Sequence, residues 1–300
     1  MALKLNFIKN INTQLAVLTT CLFLCLLFLI GYITLFKQNH TVEQAHLKKQ
    51  QISLSIDNDD TAPVIAIIIE AIGLYKTNIM NDLPAEITVG IPSYLLLDPA
   101  FDSKMLKHNL AINIPLDFSN SNESTSNPMA LHSEDNELTS LIKLDKIFSR
   151  SQNIKTVYTH NNEGFTASDK NSSLLLNYLK DRDMVFLSGI INQNANIYDI
   201  AKQMNYFIIK NDLALDNILS YDAIKDNLLK LENIAKNKGY ATAIGSSYPL
   251  TLEALADWTK NLSDKGIRLV NILDFDKIIK KRKNSLSNQN FYFQRESDTK

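Results

Sequence analysis

The sequence predicts an α/β domain built on a mainly parallel sheet that closes into a distorted barrel, with one transmembrane helix before it. Short β-branched runs recur along the chain, and segments of helical periodicity separate most of them. This alternation is typical of strands that pair in parallel through helical connections. The number of runs, roughly eight, favours a barrel over an open sheet.

The predicted transmembrane helix is Leu15–Phe36, which contains no charged residue. At about 1.5 Å per residue it is roughly 33 Å long, enough to cross the hydrocarbon core of a bilayer. Its end, "TLFKQNH", offers no small-x-small cleavage site. We therefore expect an uncleaved signal anchor, with a cleaved signal peptide as the alternative. Residues 1–14 form a short N-terminal tail, and the nearly balanced lysines on the two sides do not fix the orientation.

Two polar segments without apolar rhythm bound the folded domain. We expect residues 37–61 to form a flexible tether and residues 281–300 to form a disordered tail. The folded domain is predicted between them, over residues 62–280. The chain has 31 Lys plus Arg and 32 Asp plus Glu, so no net field favours nucleic acid as a partner. Both cysteines lie in the predicted span, which excludes a Cys-based zinc site from the domain.

The predicted strands are the apolar, β-branched runs of the domain. They are Val64–Ile69, Ile87–Ile91, Leu110–Ile114, Ile154–Tyr158, Met184–Leu187, Tyr206–Ile209, Ala241–Ile244 and Ile267–Ile272. Two helices are especially clear from their spacing: Tyr221–Lys238, which Gly239 would end, and Thr251–Lys265, which Thr251 would cap.

The carboxyl ends of parallel strands are where α/β proteins place their chemistry. Glu70 ends the first predicted strand and precedes a turn at Gly73, so it is a candidate acid or base. The other strand ends are polar but poor in zinc ligands, with His160 the best of them and Asp212 and Asp216 more distant.

Six short sequence blocks follow one another along the domain, most of them at these strand ends. They are "EAIG" from Glu70, "KHNLAINIPLD" with His108 and Pro115, "THNNEGFT" with His160 and Phe165, "FLSG" from Phe186, "NDLALDN" with Asp212 and Asp216, and "IGSSYPLTL" with Gly245. In this order, from about residue 63 to residue 272, they resemble the divergent polysaccharide deacetylase family, which is related to the carbohydrate esterase deacetylases. The resemblance implies a distorted (β/α) barrel of the polysaccharide-deacetylase type.

The blocks depart from the family at the positions that matter for a metal. Where the family has Asp, His, Asp and His, this chain has Ala71, Asn113, Ser188 and Ser246. Related deacetylases hold a divalent metal with one Asp and two His, and an Asp base activates water against an N-acetyl carbonyl. Alanine has no ligand atom, and neutral oxygen donors do not replace an imidazole or a carboxylate for zinc.

Candidate site residues follow from the resemblance and from the strand ends. Glu70, His160 and Asp212 are the catalytic candidates, and the substrate-binding candidates are Asn113, Asn161, Thr166, Asp216 and Ser246. We expect no cofactor. If a metal such as zinc binds, Glu70 and His160 would be its ligands.

The resemblance implies carbohydrate or cell-envelope metabolism, and the departures favour a catalytically degenerate member that acts as a glycan-binding or scaffold module. The alternative is an active metal-dependent hydrolase that removes acetyl groups from N-acetylated amino sugars with an altered ligand set. The expected partners are the membrane, through Leu15–Phe36, and an envelope glycan or peptidoglycan. The expected location is the inner membrane, single-pass, with the domain in the periplasm.

Overall fold

The computed structural model describes residues 61–71, 83–97, 107–117, 127–149, 151, 153–161, 163–190, 192 and 194–297, with side chains as far as residue 284. In these residues nine strands form one sheet: β1 (Val64–Glu70), β2 (Thr88–Ile91), β3 (Leu110–Asn113), β4 (Thr156–Tyr158), β5 (Val185–Ser188), β6 (Ile208–Lys210), β7 (Leu213–Ala214), β8 (Tyr240–Ser246) and β9 (Arg268–Leu269). Every pairing between these strands is parallel. The prediction of a mainly parallel α/β domain is confirmed.

The strand order shows why the sheet curls. Along the sheet it is β6-β5-β4-β3-β2-β1-β8-β7, with β9 also paired to β1. The edge strands β6 and β7 are consecutive in the chain, and only Asn211 and Asp212 separate them. Because that connection spans at most about 11 Å, the two edges must lie close together. The sheet is therefore a curled half-barrel. We call the place where its two edges, β6 and β7, approach each other the seam. The Thr242 hydroxyl of β8 donates across this seam to the Lys210 carbonyl at 2.8 Å.

Six α-helices accompany the sheet in the described residues: α1 (Glu137–Phe148), α2 (Asp169–Asp181), α3 (Asn196–Gln203), α4 (Tyr221–Lys238), α5 (Pro249–Thr259) and α6 (Ile272–Ser297). Local sequence fixes several of their ends. Asn136 caps α1 by accepting from the Thr139 amide, and Ser220 caps α4 by accepting from the Ala223 amide. Gly239 ends α4 in the left-handed region at φ 84°, where glycine has no Cβ penalty.

The two faces of the sheet belong to different apolar layers. Ile65, Ile67 and Ile69 of β1 pack in the layer that contains helices α1 to α5, whereas Ala66 and Ile68 pack in a smaller layer with Phe275 of α6. This separation follows from the alternation of side chains along a strand. The first five helices thus cover one face, and α6 covers the other.

One strand and the two ends of one helix differ from the prediction. The strand β7 is not predicted, because two residues give no periodic signal. The predicted helix Thr251–Lys265 begins at Pro249 and ends at Thr259, and a 3-10 turn, Ser263–Lys265, follows. Proline is favoured in the first turn of a helix, where its missing N–H is not needed. Thr251 is therefore not the cap.

The carboxyl terminus also differs from the prediction. Helix α6 continues to Ser297, although the sequence predicts a disordered tail from residue 281. The Arg282 guanidinium donates to the carbonyls of Gly239 and Ala62, at 3.0 and 2.7 Å. These contacts fix the helix to the beginning of the domain, so the folded domain continues past the predicted boundary at residue 280.

The predicted signal anchor, the tether and the turn at Gly73 lie outside the described residues. Among the helices that are described, none is both long and apolar enough to cross a membrane.

Candidate functional site

Glu70 is the last residue of β1, and its side chain lies on the α6 side of the sheet. Ala66 and Ile68, two and four residues earlier, belong to the α6 layer, so the strand alternation places Glu70 on the same face. The side chain is 12% exposed. Its Oε1 accepts a hydrogen bond from the Tyr158 hydroxyl at 2.8 Å and lies 3.1 Å from Nε2 of His160. The structure therefore brings together two of the three catalytic candidates, Glu70 and His160.

Tyr158 is the member of this cluster that the sequence reasoning missed. It ends β4, is fully buried in the α6 layer, and its ring contacts the His160 ring edge-on with centroids 5.7 Å apart. A buried tyrosine hydroxyl needs a polar partner. The signal was therefore present: a tyrosine at the end of a predicted strand, two residues before the candidate His160.

Gly90 of β2 provides the space for this tyrosine. A Cβ atom at position 90 would lie 2.6 Å from the Tyr158 hydroxyl and 3.0 Å from Cγ2 of Ile68. Gly90 is also the register partner of Glu70 in the neighbouring strand. The glycine is thus required by the close approach of the phenol to Glu70.

The electrostatics of the cluster favour an ion pair between Glu70 and His160. Burial acts to raise the pKa of Glu70, but the hydrogen bond and charge of His160 and the Tyr158 hydrogen bond together lower it below its usual 4.5. For His160, burial acts to lower the pKa, and the hydrogen bond and charge of Glu70 raise it above the usual 6.5. The His160 side chain is 44% exposed, so solvent screens the pair.

Tyr158 stays neutral beside this pair. Burial, followed by the charge of Glu70, raises the pKa of the Tyr158 phenol well above its usual 10. The phenol is therefore a permanent hydrogen-bond donor to the Glu70 carboxylate.

Asn113 and Ala71 lie next to the cluster. Asn113 ends β3, is 6% exposed, and its nearby amide acts to lower the pKa of Tyr158. Its Nδ2 is buried without a hydrogen-bond acceptor. Ala71 is buried in the layer of the first five helices, and its amide donates to the Gly90 carbonyl at 2.8 Å. Neither residue offers an anionic or imidazole group to the Glu70 side chain.

Ser246 and Asp216 lie on the other side of Glu70. Ser246 is the register partner of Glu70 in β8. The Asp216 carboxylate accepts from the Ser246 amide at 2.7 Å and from the Thr251 hydroxyl at 2.9 Å. Asp216 is therefore near the site, but its Oδ2 atom joins the end of β8 to the beginning of α5.

Asp212 lies away from the cluster. Its Oδ1 accepts from Lys238 at 2.8 Å, and its Oδ2 accepts from the Thr242 amide at 3.0 Å. Thr242 pairs with Ala66, four residues before Glu70 in β1. Four residues of a strand correspond to about 13 Å, so Asp212 is not brought to the Glu70 end of the sheet.

The remaining predicted residues are spread around this end of the sheet. Asn161 is exposed directly after His160. Thr166 is buried, and its hydroxyl donates to the Glu163 carbonyl at 3.3 Å. Ser188 is fully buried beside Tyr198, whose hydroxyl lies 3.2 Å from the Ser188 hydroxyl.

The sequence comparison identifies the family. A sequence model described as divergent polysaccharide deacetylase matches residues 67–275, well over half of the chain. The chain belongs to the divergent polysaccharide deacetylase family. No curated protein matches the sequence.

Solved structures share the fold of this divergent deacetylase. An uncharacterized protein from Agrobacterium tumefaciens C58 is 21% identical over 70% of this chain and 88% of its own, with a TM-score of 0.65. A candidate cellobiose-phosphate cleavage protein from Enterococcus faecalis V583 is 11% identical over 71% of this chain and 99% of its own, with a TM-score of 0.50. At these identities the similarity concerns the fold alone.

The residues of this divergent deacetylase do not fit the divalent metal that the resemblance implies. Ala71 has no ligand atom, the Nδ2 of Asn113 is a buried donor, and Oε1 of Glu70 already contacts the Tyr158 hydroxyl and Nε2 of His160. Among the described residues, no three His, Cys, Asp or Glu side chains lie close enough to hold a metal ion.

Proposed function

We propose that this divergent polysaccharide deacetylase binds an envelope glycan at the carboxyl ends of β1, β4 and β8 and does not catalyse metal-dependent deacetylation. The proposal rests on the hydrogen-bond partners of the Glu70 carboxylate. Its carboxylate is held by His160 and Tyr158, while the neighbouring Ala71 and Asn113 supply no second acid or imidazole. A partly exposed ion pair with a neutral phenol behind it is suited to hydrogen bonding with sugar hydroxyls and amides.

The proposed setting is the periplasmic face of the inner membrane. Leu15–Phe36 would anchor the chain, and the polar residues 37–61 would let the domain reach glycan above the membrane. Peptidoglycan is the proposed glycan, because it is the N-acetylated amino-sugar polymer of that compartment.

Calorimetric titration of the full chain tests the binding role. The ligands are chitopentaose and soluble peptidoglycan fragments, and the variants are Glu70→Gln and His160→Gln. We expect the wild type to bind and each variant to bind roughly 10- to 150-fold more weakly, the cost of losing one hydrogen bond to a charged group. Asp226→Asn, an exposed position on α4, is the matched control and should bind as the wild type does.

Acetate release in the same samples, with and without added zinc, tests the catalytic part. We expect none above the buffer rate. Zinc-dependent release that disappears in Glu70→Gln would replace this proposal with an active hydrolase. Absence of binding to both ligands would instead overturn the glycan-binding role.

A further inference from the structure

Large exposed apolar side chains are concentrated at the end of the sheet that carries Glu70. In the part of the chain that the structure describes, eight such side chains are exposed, and five of them follow the carboxyl ends of β2, β7 and β8: Tyr94, Ile218, Leu219, Tyr248 and Leu250. Clustered exposure of apolar groups marks a binding surface more often than scattered exposure does. Two of the five are aromatic, and these two lie on opposite sides of β1.

The sheet register fixes the positions of the two tyrosines. Gly90 of β2 and Ser246 of β8 are both register partners of Glu70. Tyr94 follows Gly90 by four residues and is 53% exposed, and Tyr248 follows Ser246 by two residues and is 39% exposed. Besides burial and Glu70, Tyr94 also contributes to the raised pKa of Tyr158, as a neighbouring phenol would.

We propose that Tyr94 and Tyr248 are sugar-stacking residues that flank Glu70, so that the site takes a chain of linked sugars rather than a single sugar. This inference rests on the glycan-binding role proposed above and adds the residues that would bind successive sugars. The face of a pyranose ring presents C–H bonds of positive partial charge, which an aromatic face with its negative quadrupole attracts.

The strands that precede the two tyrosines, β2 and β8, are separated by β1 in the sheet. Neighbouring strands are about 4.8 Å apart, so β2 and β8, one on each side of β1, are separated by about 10 Å at the level of Glu70. That distance exceeds the width of one pyranose ring. A glycan chain lying across β2, β1 and β8 would place separate rings on Tyr94 and Tyr248 and a polar substituent near Glu70 and His160.

The test is calorimetric titration of the full chain with chitopentaose and with monomeric N-acetylglucosamine. The variants are Tyr94→Ala, Tyr248→Ala, Tyr94→Phe and Tyr248→Phe. Leu138→Ala is the matched control, an exposed apolar residue on α1. Thermal unfolding of each variant verifies that it is folded. We expect each alanine variant to bind the pentamer roughly 3- to 10-fold more weakly. Each phenylalanine variant and the control should stay within about twofold, because stacking uses the ring and not the hydroxyl.

The outcomes separate this inference from the proposed function. If Glu70→Gln weakens binding and the two alanine variants do not, the glycan site stands and the stacking residues are wrong. If phenylalanine weakens binding as much as alanine does, the tyrosines act through their hydroxyls and stacking is overturned. If the monomer binds as tightly as the pentamer, the extended site is overturned. If the wild type binds neither sugar, the proposed function fails and this inference fails with it.

Discussion

Glu70 and Asp212 are both acids in blocks that resemble the deacetylase family, and the fold uses them differently. Glu70 lies at the carboxyl end of β1 with a half-exposed histidine and a buried phenol. Asp212 lies at the seam where the two sheet edges meet, and it accepts from Lys238 and from the Thr242 amide. One acid faces a site that a ligand can reach through His160, and the other completes the hydrogen bonding of the curled sheet.

The difference shows that an acid in a familiar block does not identify a catalytic group by itself. The position along the strand decides the role, because a carboxylate about 13 Å below the strand ends cannot contact a ligand bound there. Substitutions at the two sites should therefore change different properties of the protein.

The largest expected effect is a loss of stability on substitution of Asp212, which lies at the seam. Asp212→Ala should lower the free energy of unfolding by about 2 kcal/mol, because the amide of the buried Thr242 and the Lys238 ammonium both lose their acceptor. Urea unfolding at neutral pH measures this, with Asp226→Ala on α4 as the exposed control. Glycan binding should stay within about twofold of the wild type. A stable Asp212→Ala variant that no longer binds glycan would place Asp212 in the site and remove the contrast with Glu70.

The next largest effect is expected at Gly90, which leaves space for the Tyr158 ring beside Glu70. Gly90→Ala should cost about 1–2 kcal/mol of stability, because its Cβ would lie 2.6 Å from the Tyr158 hydroxyl and displace the ring. The loss of the Tyr158 hydrogen bond should also raise the pKa of Glu70. Urea unfolding and a titration of Glu70 by carboxyl NMR provide the two readouts. An unchanged pKa would show that Tyr158 does not position Glu70.

The smallest effect is the pH dependence of the Glu70–His160 pair. The pKa of Glu70 is lowered from 4.5, so its contribution to stability is present above that value and is lost as the pH falls below it. The pKa of His160 is raised from 6.5, so its contribution is present below 6.5 and is lost as the pH rises through the raised value. The pair therefore stabilises the fold most between these two values.

The comparison of the wild type with His160→Gln measures this contribution. The stability difference should be larger near pH 5.5 than near pH 8.5 by at most about 0.5 kcal/mol, since His160 is nearly half exposed. His160→Gln should show no change in its difference from the wild type across this range if the histidine and Glu70 are not paired.

The sequence predicted the scaffold better than the contacts within it. Each of the eight predicted runs overlaps a strand, because β-branched runs between turns carry a strong signal. The strand β7 was missed because two residues are too short for periodicity to appear. Because β7 and the seam determine where Asp212 lies along the strand direction, its distance from Glu70 could not be inferred either.

The site was predicted in part for a similar reason. Glu70 and His160 were both candidates as strand-end residues, and the parallel order brings β1 and β4 ends to one edge. Tyr158 was predicted only as the last residue of a strand, and the approach of its hydroxyl to Glu70 depends on Gly90, two strands away from it in the sheet. Contacts of this kind depend on the curvature of the sheet, which strand periodicity does not encode.

Zinc stoichiometry tests whether the site at Glu70 holds a metal ion. The full chain, the Glu70→Gln variant and the His160→Gln variant are equilibrated with excess zinc, exchanged into metal-free buffer and measured by elemental mass spectrometry. Because Ala71 has no ligand atom and Asn113 offers only a neutral amide beside Glu70, we expect all three samples to retain the same trace of zinc, far below one ion per chain. One zinc per wild-type chain that is lost in both variants would contradict this expectation.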